Sequence, residues 1–194
     1  MDRLRVLHVA PERAPMVKTG GLGDVLEALP EALRADGVDA LTLLPGYPAV
    51  LAHTAGAPQV GKLNLLGFEC RLLRADALLV VDCPPLYARE GGPYQSRDGR
   101  DWDDNALRFG VLSRAAALLA VASTPLDWRP HVVHCHDWPA ALAPAYLRAE
   151  AGRAASVLTI HNVAFQGNYD AALLARLELP QSMFTIDGVE FYGR

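Results

Sequence analysis

Lysine is nearly missing from this chain of 194 residues. Of its 18 basic residues only Lys18 and Lys62 are lysines, and the other 16 are arginines. A lysine that survives such a bias inside a glycine-rich stretch, as Lys18 does, suits a site that wants a compact ammonium rather than a planar guanidinium. Cysteine is scarce too. Cys70, Cys83 and Cys135 stand far apart, odd in number and without any Cys-x-x-Cys pair, which excludes a disulfide framework or a zinc ribbon and leaves three small buried thiols. Positive charge is not in excess, with a net charge of −4, so there is no broad attraction for nucleic acid or an anionic membrane. No apolar run approaches the roughly 20 residues of a spanning helix. The run Leu4–Ala10 is too short for a signal-peptide core. These absences point to a cytoplasmic protein. Internal repeats and low-complexity segments are absent as well.

What is present is an ordinary globular composition, 51% hydrophobic, enough to build a core in one compact domain. Apolar runs at Leu4–Ala10, Ala40–Leu44, Ala77–Cys83, Val132–Cys135 and Val157–Ile160 lack polar alternation, as buried parallel strands do. Between them lie helical patterns. Leu22, Val25, Leu26, Leu29 and Leu33 recur at helical spacing, and Pro30 predicts a kink or two short helices there. Further helices are expected over Asp104–Ser123, Trp138–Glu150 and Ala171–Leu179. Strand and helix in alternation give an α/β fold, a Rossmann-like parallel sheet with flanking helices. Leu63–Leu72 reads instead as a hairpin beside the main sheet. Tyr87–Asp103, with Gly91, Gly92, Pro93 and Gly99, reads as a long functional or mobile loop.

Four clusters carry candidate chemistry. The first, Lys18-Thr19-Gly20-Gly21-Leu22-Gly23-Asp24, follows the first strand and opens the first helix, where backbone N–H groups attract anions. It is neither a Walker loop nor the dinucleotide fingerprint, because Leu26 stands where the last glycine is due. A plain loop with Asp24 complementing the helix dipole is the simpler alternative. The second, His131-Val132-Val133-His134-Cys135-His136-Asp137-Trp138, ends a strand. His134 and His136 share a strand face, and Asp137 is either a helix cap or a hydrogen-bonding group for a sugar hydroxyl. The third, Thr159-Ile160-His161-Asn162, ends the next strand, so two strand tips converge polar groups on one crevice. The fourth, Asp101-Trp102-Asp103-Asp104, contains an Asp-x-Asp pair, Asp101 and Asp103, of the kind that can hold a divalent metal, with helix capping as the simpler account.

The motifs resemble those of bacterial glycogen synthases and plant starch synthases. Pro15-x-x-Lys18-Thr19-Gly20-Gly21-Leu22-x-Asp24-Val25 is similar to that family's opening signature. In the same order follow Leu43-Leu44-Pro45-Gly46-Tyr47-Pro48, Pro93-Tyr94, Asp104-Asn105-x-Leu107-Arg108-Phe109, Pro130-x-Val132-Val133-His134-x-His136-Asp137-Trp138, Ala143-Pro144-Ala145-Tyr146-Leu147, Thr159-Ile160-His161-Asn162-x-Ala164-x-Gln166-Gly167 and Asp187-Gly188-x-Glu190-Phe191-Tyr192-Gly193. The resemblance is collinear over the whole chain. It implies the N-terminal lobe, residues 1–194, of a B-type glycosyltransferase whose active site lies between two Rossmann-like lobes. The C-terminal lobe is absent from this sequence.

The implied reaction moves glucose from ADP-glucose to the non-reducing end of an α-1,4-glucan such as glycogen, with retention and with neither metal nor cofactor. Carried over by the resemblance, His161 and Asp137 are the catalytic residues at the donor sugar, and Lys18 meets the donor phosphates. Gly20 and Gly21 allow its close approach, Asp24 is a further polar contact, Tyr94 a sugar-stacking ring, and Asn162 supports the loop. Two departures stand out: Pro139 where the family usually has His, and Ala141 where it usually has Gly. The Pro139 change removes a side chain expected to face the cleft. With half the phosphate clamp elsewhere, the isolated chain is expected to be inactive. Two other readings remain: a non-catalytic glucan-binding module, and a metal-dependent hydrolase using His134, His136 and Asp137.

Overall fold

The computed structural model describes residues 3–194. Its centre is one seven-stranded sheet, ordered β3-β4-β5-β2-β1-β6-β7. The strands are β1 (Arg5–Val9), β2 (Asp39–Pro45), β3 (Gln59–Leu65), β4 (Phe68–Ala75), β5 (Leu78–Asp82), β6 (Val132–His136) and β7 (Ala155–Thr159). The run β5-β2-β1-β6-β7 is parallel throughout. β3 and β4 form the antiparallel hairpin that the sequence suggests. Its two-residue turn, Leu66-Gly67, has positive φ at both positions (52° and 80°), the geometry whose twist matches a right-handed hairpin.

The order reverses at β1, which pairs with β2 on one side and β6 on the other. Chains leaving β1 and β6 therefore diverge and open a crevice at their carboxyl ends.

Helix α1 (Gly21–Ala35) packs on β2, the short helices α2 (Pro48–His53) and α3 (Pro84–Tyr87) follow β2 and β5, and α4 (Asn105–Leu119) contacts β1, β2 and β3. The main core holds Leu7, Val9, Leu41, Leu43, Val133 and Cys135. The strand period of two puts these six on one face and sends His8, Thr42, His134 and His136 to the other. All three cysteines are buried and free. No helix among the described residues is long and apolar enough to cross a membrane.

Two helix expectations change. Pro30 does not split α1, which is continuous over Gly21–Ala35. Proline has no N–H to give the Leu26 carbonyl one turn back, and the Arg13 Nε donates to that carbonyl instead, at 3.1 Å. The helix expected over 138–150 breaks into a 3-10 turn, Trp138–Ala140, and α5 (Ala143–Ala149). Pro144, without an N–H for the Ala140 carbonyl, sits in the first turn of α5, where that loss is tolerated.

Candidate functional site

The cleft is built where β1, β6 and β7 end. Beyond β1 the chain runs through Glu12, which is buried. Its carboxylate accepts from the Thr19 N–H at 2.6 Å, the Thr19 hydroxyl at 2.8 Å and the Tyr94 hydroxyl at 2.8 Å. Glu12 thus clamps the glycine-rich loop to the 87–103 segment. Gly20 then caps α1 with extended backbone and no side-chain hydrogen bond. The first N–H groups of a 15-residue helix are left free, carrying the positive end of its dipole. A Cβ added at Gly20 or Gly21 would meet nothing within 4 Å, so glycine here opens the helix start to a ligand.

Asp137 follows β6 with φ 58° and ψ −178°, a region that is essentially glycine-only and costs on the order of 1–3 kcal/mol for another residue. Its N–H donates to the Thr159 carbonyl at 2.9 Å. Its Oδ1 accepts from the backbone N–H of His161 at 2.8 Å and of Asn162 at 3.4 Å. The carboxylate therefore ties two strand tips together and makes no helix-capping bond. Asn162 Oδ1 accepts from the Ala164 N–H at 3.0 Å and shapes the turn that follows.

Tyr94 packs 5.8 Å from the Phe109 ring and 6.3 Å from the Trp138 ring. Burial, reinforced by Glu12, keeps its phenol protonated. The 87–103 segment is fastened as well. Buried Arg108 donates to the carbonyls of Leu86 (3.0 Å) and Pro93 (2.8 Å) and to Asn105 Oδ1 (2.7 Å). The Asn105 amide donates to the Tyr94 carbonyl at 2.8 Å. Asp104 holds the N-cap position of α4 without a side-chain cap bond, its carboxylate being taken by Arg89 at 2.8 Å. Asp101 accepts from the Gln95 amide at 2.9 Å. Capping is therefore not what occupies the Asp101 or the Asp104 carboxylate.

Gly20, Gly21, Tyr94, Asp137, His161 and Asn162 all line one cleft of about 710 Å³. Lys18 and Asp24 do not. They pair with each other at 2.7 Å, both half exposed. Lys18 lines an adjoining depression of about 410 Å³ with Arg89 and Arg108, and Thr19 belongs to both. Pro139 is buried and faces a separate pocket of about 260 Å³ beside Trp138 and Tyr169.

Glu12 and Phe165, outside the four clusters, also shape the cleft, as does Trp138, the last residue of the second cluster. Glu12 was detectable as a charge directly after an apolar strand. Phe165 and Trp138 add apolar wall. Trp138 is approached so closely by Gly167 (φ 64°) that a Cβ there would lie 2.4 Å from its ring.

Among the described residues, His8, His134 and His136 are the group whose ligand atoms fall within 4.8 Å of one another. Asp137 is not in it, so the hydrolase trio of His134, His136 and Asp137 is not assembled. The His134 and His136 rings stack at 4.2 Å and 27°. His8 shares a hydrogen bond with His136 (Nδ1···Nε2, 3.2 Å), and His136 with His161 (Nδ1···Nε2, 3.1 Å). Burial, aided by His134 and then Arg34, lowers the His8 pKa to about 3. Burial, aided by His134, His8 and His161, lowers that of His136 to about 2.

A family model described as "Starch synthase catalytic domain" matches residues 5–194. The chain is 50% identical over 200 residues to a glycogen synthase of Aromatoleum aromaticum, covering 99% of this chain and 40% of that protein. It is 51% identical over 201 residues to one of Dechloromonas aromatica, covering 100% and 41%. Among solved structures it is similar to the catalytic domain of starch synthase IV from Arabidopsis thaliana bound to ADP and acarbose, with a TM-score of 0.68 and 26% identity over 96% of this chain and 40% of that one. The chain thus spans about two-fifths of the length of the curated relatives it matches.

Proposed function

Because the chain belongs to the starch synthase catalytic-domain family, we propose that its cleft is the donor side of a glucosyltransferase site. The reaction is transfer of glucose from ADP-glucose to the non-reducing end of an α-1,4-glucan such as glycogen, with retention. One observation carries this reading: the free start of α1 and the tips of β6 and β7 converge on a single cleft. ADP and acarbose, a nucleoside diphosphate and an oligosaccharide mimic, occupy the related starch synthase IV, and that agrees with the proposed substrates.

In this reading residues 1–194 supply the N-terminal lobe, and a second lobe completes the phosphate clamp. The N–H groups beyond Gly20 face the diphosphate. Lys18 exchanges Asp24 for a phosphate oxygen, an exchange that costs little because an exposed ion pair contributes only about 0–1 kcal/mol. Asp24 stays beside it as a polar contact. As the bond from C1 to the phosphate oxygen breaks, its electron pair leaves on the diphosphate. Cationic groups stabilise that charge, while Asp137 and His161 hold the cationic sugar. Asn162 fixes their turn and Tyr94 offers a ring face. No metal or cofactor is needed for these roles.

The test is titration of the purified chain with ADP-glucose by calorimetry or ligand-observed NMR. Binding on the order of 1 mM is expected, weakened about tenfold by Lys18→Ala through the loss of a charge-assisted hydrogen bond, with no transfer by the chain alone. Absence of donor binding would sink the proposal. Glucan affinity indifferent both to ADP-glucose and to Lys18→Ala would establish the non-catalytic glucan-binding module instead.

A further inference from the structure

We infer that His8 and His136 are positioning residues for His161: the three imidazoles form a proton-ordered chain that keeps His161 in the Nδ1–H form and presents a hydrogen-bond donor to the cleft. The inference rests on the proposed site, though not on which sugar nucleotide fills it.

The sheet register builds the chain. His8 pairs with His134 across β1 and β6, and His136 lies two residues further on the same face. His136 in turn pairs with Thr159 of β7, and His161 follows just beyond that strand. The N···N distances are 3.2 Å and 3.1 Å, while the ring centroids are 5.5 Å and 5.4 Å apart with interplanar angles of 34° and 21°. Centroids that exceed the N···N distance by about two ring radii place both hydrogen bonds near the ring planes, where imidazole lone pairs point. His8 and His136 are wholly buried, and their lowered pKa values keep both neutral near pH 7, each with one N–H.

Two proton orders satisfy both bonds. In the first, His8 Nδ1–H donates to His136 Nε2, and His136 Nδ1–H donates to His161 Nε2. This leaves a bare nitrogen at His8 and an N–H at His161 Nδ1. The second order reverses every proton.

The ends of the chain decide between them. His8 Nε2 is buried with no partner, and an orphaned N–H is rarer in folded proteins than an unfilled acceptor. The Arg34 guanidinium is near enough to depress the His8 pKa and favours a lone pair at that end. At the other end the Asp137 carboxylate, held by the His161 backbone N–H, favours the positive pole. Burial, Arg34 and Asp137 all select the first order. A bare His161 Nε2 is then satisfied by His136, and Nδ1–H remains for an oxygen of the ligand.

The experiment is long-range 15N NMR on the histidine-labelled chain, without ligand, at neutral pH. The expected spectrum has the proton on Nδ1 of His8, His136 and His161, with 15N–15N couplings across both hydrogen bonds. His8→Leu removes the anchoring donor, so His161 should divide between tautomers and ADP-glucose binding should weaken about fivefold, the effect of one neutral hydrogen bond. His8→Asn, whose amide nitrogen can replace Nδ1–H, should restore both. A wild-type His161 protonated on Nε2 would overturn the inference, as would an unchanged His161 tautomer in a folded His8→Leu chain. If His8→Leu fails to fold, the wild-type tautomer alone decides. Expected tautomers without any ADP-glucose binding would leave the relay standing and remove only the donor assignment.

Discussion

Mild acid should destabilise this fold before its carboxylates titrate. His8 and His136 have folded pKa values of about 3 and about 2, against 6.5 when unfolded. Between pH 6.5 and those values the unfolded chain takes up two protons that the native state refuses. Stability is therefore full above pH 6.5 and falls as the pH drops below it. At pH 5 both imidazoles are still neutral when folded. The loss from pH 7 to pH 5 is about 2 kcal/mol for each, or about 4 kcal/mol together. That is a large part of the 5–15 kcal/mol of a typical domain. The His134 pKa is lowered too, chiefly by burial, and adds in the same direction. Unfolded carboxylates titrate near pH 4, so this window isolates the histidines. Urea unfolding followed by tryptophan fluorescence at pH 7 and pH 5 measures the effect. With a slope of about 2 kcal/mol per molar urea, the midpoint should fall by about 2 M. His8→Asn should remove about half of the shift. Equal midpoints at the two pH values would refute the claim that these rings are buried and neutral.

Arg13→Leu should cost about 1–2 kcal/mol in the same assay, because it strands the Leu26 carbonyl opposite Pro30. In a Pro30→Ala background, where an N–H returns, the cost should shrink, and an undiminished cost in that double-mutant cycle would reject the link. Glu12→Gln turns an acceptor of three donors into a group with two N–H donors of its own. Limited proteolysis should then cut the 87–103 segment faster, and unchanged cleavage would show that the clamp does not hold it. Gly167→Ala pushes a methyl into Trp138 at a left-handed backbone position, so Tm should drop by several degrees and the tryptophan emission should shift.

Much of this architecture was readable residue by residue. The five parallel strands declare themselves as apolar runs between helical repeats, and each lies within two residues of its expected place. Asp137, His161 and Asn162 could be grouped because strand ends in such sheets share a crevice. What escaped were effects of partners far away in sequence. Pro30 looks like a break until Arg13, 13 residues before Leu26, supplies the missing donor. His8 is one polar residue in an apolar strand, and its role depends on His136, 128 residues later. Lys18 could be singled out by composition, but its present pairing with Asp24 is a side-chain choice that no pattern encodes. Glu12 has a legible position, whereas its partner Tyr94 lies 82 residues further along the chain.

The backbone at residue 137 asks for glycine, and the chain keeps aspartate there. Replacing it with glycine would relax the local geometry while cutting the thread that holds His161 and Asn162. This position therefore sets foldability against usefulness. Here the cost of an uncomfortable backbone is set against the two bonds that only a side-chain acceptor at residue 137 can make.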